Sequence, residues 1–355
     1  MRKILLVNNG YPSPILPNYT TYIASMKECL EKAGLWVDVL AIKYTRKKNL
    51  WYMAYSYAKF WLRCISINLC KYDYIYINHA PFVWPLFFNM TLNCSKVFVH
   101  WHGNEVVKQN CFLKISRAII SIKILKCRHI VPSCYFQTVI SELLGVKMED
   151  ITVSPSGGVD VELFRKNTKT ENIDKSFVLG FSSGMSKGKG ADLIMKLIEK
   201  VNSIEEKTGK RIIFNIVDYG EDMAEYYDLL SKNVSVILTP KMPKNKMPEF
   251  YSKINLLLMS SRRKSESLGL VVLEAMSCEK PVVSFNMFAF PEFVISGISG
   301  EMVQYSENVS KNADNFISAI CKVHDNYSSY KPRSIILKRY SESHVIEQYK
   351  KLFGR

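Results

Sequence analysis

The chain has 355 residues, with 48 Lys+Arg against 32 Asp+Glu and a formal net charge of +16; at roughly 150 residues per domain that length suggests two domains. A hydrophobic fraction of 48% supplies real cores and argues against a disordered chain. The nine Cys are scattered without a C-x-x-C pair, and the first apolar run is only Ile4–Val7, which speaks against a disulfide framework, a cysteine zinc site and a secretory leader.

In chain order, strands alternate with helices. Ile4–Val7 reads as a buried strand running into the turn Asn8-Asn9-Gly10, and Thr20–Ala33 as a helix stopped by Gly34. Trp36–Ile42 is a strand, Leu50–Cys70 a long helix and Tyr72–Asn78 a strand. Lys96–Trp101, His129–Pro132 and Ile151–Val153 continue the strands, with helices at 112–127 and 135–144. The rhythm breaks at Ser154-Pro155-Ser156-Gly157-Gly158-Val159-Asp160 and the polar stretch Arg165–Lys175, then restarts. Strands follow at 177–182, 212–217, 234–238, 254–259 and 281–285, and helices at 191–201, 222–230, 268–278, 309–324 and 344–353. This order predicts an α/β fold of two doubly wound, Rossmann-like parallel sheets. The expected divisions are 1–160, 161–335 and a C-terminal helical segment 336–355 packing back on the first domain. Such a pair of domains would face each other across a cleft lined by strand carboxyl ends.

The sharpest chemical signal is Glu266-Ser267-Leu268-Gly269-Leu270-Val271-Val272-Leu273-Glu274. A helix starting near Leu268 would aim its free N–H groups at the loop holding Glu266, a ready anion site. Gly269 would let a phosphate approach the backbone. Glu274, six residues after Leu268, would lie ~9 Å along the axis from the helix start, too far to share a proton or metal with Glu266. The pair could grip opposite ends of an elongated ligand such as a nucleotide-sugar. The alternative for this spacing alone is two solvated carboxylates on an ordinary helix.

The segment 266–283, ending Ala275-Met276-Ser277-Cys278-Glu279-Lys280-Pro281-Val282-Val283, resembles the signature of glycosyltransferase family 4, which has the GT-B fold. Pro155–Asp160, Gly188-Lys189-Gly190-Ala191-Asp192, Val217-Asp218-Tyr219-Gly220-Glu221, Pro291-Glu292 through Gly300, and His102-Gly103-Asn104-Glu105 follow the family's motifs in order. The resemblance implies a retaining sugar transferase of bacterial surface-polysaccharide synthesis (capsule, O-antigen or lipopolysaccharide). It implies that Glu274 binds the donor ribose and Glu266 the sugar hydroxyls. Lys189 and the backbone of Ser267, Leu268, Gly269 and Leu270 would hold the pyrophosphate of a UDP-sugar. His102 would touch the donor sugar, so His102, Lys189 and Glu266 are the expected catalytic group. Tyr219, Gly184 and Lys187 fall on the donor side; Asn9, Gly10, His79 and Glu105 on the acceptor side. His79 also reads as structural. The chain departs from the pattern where the family carries an Arg five positions before the Lys: here it has Gly184, and Lys187, Arg262 or Arg263 could fill the gap. No D-x-D stands at a strand end, so neither a catalytic metal nor any other cofactor is expected; the helix start and cations would meet the leaving-group charge.

Residues 1–160 hold 19 Lys+Arg against 9 Asp+Glu, a net +10. No acid falls between Asp38 and Asp73, where Lys43, Arg46, Lys47, Lys48, Lys59, Arg63 and Lys71 mix with aromatics. A second acid-free window, between Glu105 and Glu142, holds Lys108, Lys114, Arg117, Lys123, Lys126 and Arg128. Such mixing suits an anionic membrane surface. It fits a cytoplasmic enzyme, peripheral at the inner face of the plasma membrane, with a lipid-linked saccharide acceptor. A nucleic-acid partner is not expected, because no recognition-helix, RNP-type or zinc-finger pattern is present. A non-catalytic relative that still binds sugar nucleotides is the other reading.

Overall fold

The computed structural model describes residues 1–16, 19–45, 49–107, 110–166 and 176–354. Arg46, Lys47, Lys48 and Lys108 of the basic windows, and most of the polar stretch 165–175, lie outside the described residues. Two compact units are formed, one by residues 1–158 with 342–355 and the other by 159–341.

The first unit runs β1 (Lys3–Asn8), α1 (Thr21–Lys32), β2 (Trp36–Ala41), α2 (Leu50–Ser66), β3 (Tyr74–Asn78), a 3-10 segment (Ala80–Phe88), β4 (Val97–His100), α3 (Asn104–Val107), α4 (Cys111–Ile124), β5 (Arg128–Val131), α5 (Cys134–Leu144) and β6 (Ile151–Val153). Its sheet has the order β2-β1-β3-β4-β5-β6, and every pair is parallel. Such a sheet is covered on both faces, which is why its strands are near-continuous apolar runs rather than alternating ones. Asn49, Asn110 and Ser133 cap α2, α4 and α5, each side chain accepting from an amide three residues on. The long second helix ends at Ser66 instead of Cys70, because Ile67 turns extended. Two prolines, Pro81 and Pro85, hold 80–88 in 3-10 turns that the strand-and-helix reading did not anticipate.

The second unit runs β7 (Ser176–Phe181), α6 (Ala191–Glu199), α7 (Val201–Thr208), β8 (Arg211–Asp218), α8 (Met223–Ser231), β9 (Val236–Pro240), α9 (Met247–Ser252), β10 (Leu256–Met259), α10 (Leu270–Ser277), β11 (Val282–Phe285), β12 (Gly300–Val303), α11 (Val309–Asp325) and α12 (Pro332–Arg339). Its sheet order is β12-β11-β10-β7-β8-β9, all pairs again parallel. The helix expected from Leu268 begins at Leu270, because Gly269 takes a left-handed conformation (φ 75°) and cannot continue a helix backward. Strand β12 was not legible in the sequence: its four residues include Glu301, a buried carboxylate that accepts from Tyr330 Oη at 2.7 Å and Lys322 Nζ at 2.8 Å.

The chain closes with α13 (Glu342–Phe353), whose Val345, Tyr349 and Phe353 join Ile4, Leu6, Tyr76, Phe98 and Ile130 in one core of the first unit. No helix among the described residues is long and apolar enough to cross a membrane. Phe353 is fully buried, with ring centroids 4.7 Å from Phe98 and 5.3 Å from Tyr74. Phe353→Ala is expected to cost the first unit about 3–5 kcal/mol, read as a lowered midpoint in urea unfolding; a midpoint within error of the wild type would show that α13 is dispensable.

Candidate functional site

In parallel sheets the strand carboxyl ends share one edge, and ligands bind where the strand order reverses. That point lies between β1 and β3 in the first unit and between β7 and β10 in the second.

At the first edge stand Asn8, Asn9 and Gly10 after β1, Asn78 and His79 at the end of β3, and His100 and His102 at the end of β4. Asn9 Nδ2 donates to Tyr57 Oη at 3.1 Å, and a Cβ on Gly10 would stand 2.3 Å from the Tyr19 ring. His102 Nε2 meets Asn78 Oδ1 at 2.7 Å, and its Nδ1 lies 3.4 Å from Ser156 Oγ. Its ring stacks on His100 at 4.3 Å, with the His79 ring at 4.8 Å and the Tyr22 ring at 4.7 Å. Burial drives the His102 imidazole well below its ordinary pKa, aided by the two neighbouring histidines, so it is neutral at pH 7. His100, hydrogen-bonded to Tyr76 Oη at 2.9 Å, is pushed to about 3 by burial.

Glu105 is fully buried and accepts from the backbone N–H of His102 and, at 3.1 Å, of Gly103. His79 Nδ1 stands 2.9 Å from Glu105 Oε2, an ion-pair distance without the alignment of a hydrogen bond. Burial works to raise the Glu105 carboxyl, but the His79 ring and these amides together hold it below its usual value. His79 itself is in a left-handed conformation (φ 51°), with its Nε2 2.5 Å from Tyr22 Oη. The structure therefore brings His79, His102 and Glu105 together, while Asn9 and Gly10 occupy the adjoining strand end. Asn78, His100 and Tyr22 were missed. The first two are polar residues closing apolar strands, a signal present in the sequence.

In the second unit, Lys189 lies in a 3-10 turn (Lys187–Lys189) after β7, and its ammonium donates to Ser183 O at 2.5 Å. Burial lowers its pKa; Glu266 opposes that, while Arg263 adds to it, so all three side chains lie within electrostatic reach. Glu266 accepts from Ser261 Oγ at 3.2 Å, and Arg263 donates to Ser186 Oγ at 2.9 Å. Lys187 is turned to solvent, 4.0 Å from Glu225. Arg262 is committed to Asp192 at 2.6 Å and Lys187 O at 2.7 Å. Of the three cations that could replace the absent Arg, Arg263 is the one beside Lys189.

Ser267 and Leu268 form the approach to α10, with Gly269 as its cap and Leu270 its first residue. The first amides of a helix have no intrahelical acceptor. Glu274 lies one turn in, ~6 Å along the axis rather than ~9 Å. Its carboxylate is buried, accepts from Tyr251 Oη at 3.1 Å, and is raised to about 7 by that burial. Tyr219 donates to Ser182 O at 2.8 Å, and Lys241 Nζ sits 5.2 Å over its ring. Gly184 is left-handed (φ 82°), and a Cβ there would stand 2.8 Å from the Tyr219 ring. The missing Arg thus has a steric cause: this turn has no room for a side chain. Tyr251 and Lys241 carried no sequence signal. Among the described residues, no three His, Cys, Asp or Glu side chains are grouped to hold a metal ion.

Two parallel doubly wound units, the second with half-buried cations around a glycine-capped helix start, define a two-domain α/β protein of the GT-B type. Residues 164–332 match the family model of "Glycosyl transferases group 1". It is 25% identical over 280 residues to an uncharacterized 41.2 kDa protein in the cps region of Klebsiella pneumoniae, covering 76% of this chain and 69% of that one. It is 28% identical over 167 residues to D-inositol 3-phosphate glycosyltransferase 1 of Catenulispora acidiphila, covering 43% of this chain and only 39% of the relative. Among solved structures it resembles sucrose-phosphate synthase from Thermosynechococcus elongatus (TM-score 0.73, 14% identity, 100% and 98% of the two chains). It also resembles Anabaena HepE in complex with UDP and glucose (TM-score 0.71, 17% identity, full coverage of both).

Gly184→Arg, which restores the family's residue, is expected to destabilise the second unit by about 2 kcal/mol or more through backbone strain and overlap; a thermal melt matching the wild type would refute the steric account. Glu274 holds its proton up to about pH 7 in the folded chain against 4.5 in a free side chain. The folded state therefore binds more protons in that window, and stability falls as pH rises from 4.5 to 7. Glu274→Gln should flatten that decline in a pH series of melting temperatures.

Proposed function

We propose that the protein is a nucleotide-sugar-dependent glycosyltransferase, with the second unit holding a UDP-sugar. The observation that carries this reading is the grouping of Lys189, Arg263 and Glu266 beside the Gly269 cap of α10, with buried Glu274 one turn further on. Lys189, Arg263 and the amides at the helix start take the pyrophosphate and stabilise the departing nucleotide without a metal. Glu274 accepts from the ribose hydroxyls and Glu266 from those of the sugar. Tyr219 closes the nucleotide side.

In the first unit, neutral His102 offers its imidazole to sugar hydroxyls, and ionised Glu105 fixes the loop that presents it. The acceptor side is formed by Asn9, Gly10 and His79. The acceptor is a lipid-linked saccharide of capsule or O-antigen synthesis at the inner face of the plasma membrane; the relative from a cps region supports the polysaccharide setting. The acceptor hydroxyl attacks from the face the nucleotide leaves, retaining the anomeric configuration.

The test is transfer from UDP-, GDP- and other nucleotide-sugars to lipid-pyrophosphate saccharides, with and without a chelator, and with the product anomer read by NMR. Arg263→Ala is expected to cost about tenfold or more in turnover. UDP affinity should weaken about tenfold per pH unit below 7, because ribose hydroxyls favour the ionised form of Glu274; Glu274→Gln should abolish that dependence. Absence of nucleotide binding, or an inverted product, would refute the proposal.

A further inference from the structure

Two helices of the first unit turn apolar stripes outward. On α2, Trp51, Tyr55, Ala58, Leu62 and Ile65 recur at intervals of three and four and so share one face. Trp51 is 85% and Leu62 68% exposed, while Tyr52, Phe60 and Cys64 on the opposite face are buried in the core. On α4, Ile115, Ile119 and Ile122 form the same kind of stripe, with Ile122 74% exposed and Ile120 and Ile124 buried. Both helices cover the same face of the sheet, since their buried sides share one core with Val7, Ile77 and Val99.

The two stripes are joined. Trp61 of α2 donates to Phe82 O of the 3-10 segment at 3.0 Å and lies parallel to Phe112 of α4 at 6.3 Å. Lys123 of α4 donates to Phe87 O at 2.5 Å, beside Phe88, which is 53% exposed. The result is a continuous apolar strip over two helices and the segment linking them.

An ordinary surface helix puts its charged residues where these apolar stripes stand. Here the charge is at the margins and of one sign. Exposed Lys59 and Arg63 flank the α2 stripe, and exposed Lys114 and Lys126 border that of α4. Neither helix carries an acid, nor does any residue in 39–72 or 106–141. A second copy of the chain would set cation against cation across such a face. An anionic bilayer answers both features: apolar and aromatic side chains enter the headgroup boundary while the flanking cations meet lipid phosphates.

We propose that the outer face of α2, α4 and the Ala80–Phe88 segment seats the protein on an anionic lipid surface. This deepens the function proposed above by naming the surface on which a lipid-linked acceptor is met, and it rests on that reading only for the acceptor, not for the binding itself.

Flotation of the full chain with phosphatidylcholine vesicles, with and without about 30 mol% phosphatidylglycerol, tests it. The wild type should float with the anionic vesicles and only weakly with the neutral ones. Binding should weaken at ~0.5 M salt, where the Debye length is only a few ångströms. The pairs Ile119→Asp with Ile122→Asp, and Trp51→Ser with Leu62→Ser, should each lose about tenfold or more, with the wild-type melting temperature kept. Lys114→Glu with Lys126→Glu should lose binding to the anionic vesicles alone. Equal flotation with both vesicle types, undiminished binding by the isoleucine pair, or a lipid-free dimer that this pair dissolves would overturn the proposal. A UDP-induced thermal shift, measured on the same samples, separates the two readings: its absence in a wild type that floats refutes the donor site and leaves the lipid surface standing.

Discussion

Every strand pair in both sheets is parallel, and most of what is distinctive in this protein depends on that one direction. A parallel sheet buried on both faces admits few polar side chains along its strands. Polar chemistry is therefore displaced to the ends. Asn8, Asn78 and His100 close β1, β3 and β4, and the loops after β7 and β10 bring Ser183 and Ser261 to the corresponding edge of the second sheet. The two edges differ in charge. The first holds His100 and His102, kept neutral by burial, near one ionised carboxylate; the second gathers cations around a helix start.

How the backbone is held at the second edge decides which side chains can serve there. Met185 N donates to Tyr219 O at 2.7 Å and Tyr219 Oη donates to Ser182 O at 2.8 Å, so the two loops are laced together. That lacing needs a residue without a side chain at Gly184. The consequence is a redistribution of charge: the cation beside Lys189 comes from the loop after β10, as Arg263, anchored on Ser186 Oγ.

The alternation of strands and helices, the glutamate pair and the histidine–glycine–x–glutamate loop were readable because each is local in sequence and has a definite physical purpose. The start of α10 was misread by two residues, since a glycine that caps a helix and one that sits inside its first turn look alike until φ is known. Arg263 could be named only as one of three cations. Choosing among them needs the partners of the other two, Asp192 and Glu225, and those are tertiary facts. Tyr251 and its 3.1 Å contact with Glu274 had no precedent in spacing, being set by a helix, α9, that is six residues long. Strand β12 was hidden for a similar reason: its buried Glu301 looks like a surface residue until Tyr330 and Lys322 close over it.

The placement of α13 bears on how the chain folds during synthesis. Domains generally form as units, the N-terminal one first as the chain emerges from the ribosome. Here the first unit lacks Val345, Tyr349 and Phe353 until the segment after the second unit has been made, and one face of its sheet, with Ile4, Leu6, Tyr76 and Phe98, is covered until then by α1 but not by α13. The second unit, continuous from 159 to 341, can close while the first is still waiting. The nascent chain thus completes its middle before its beginning, leaving the first sheet half-covered in the meantime.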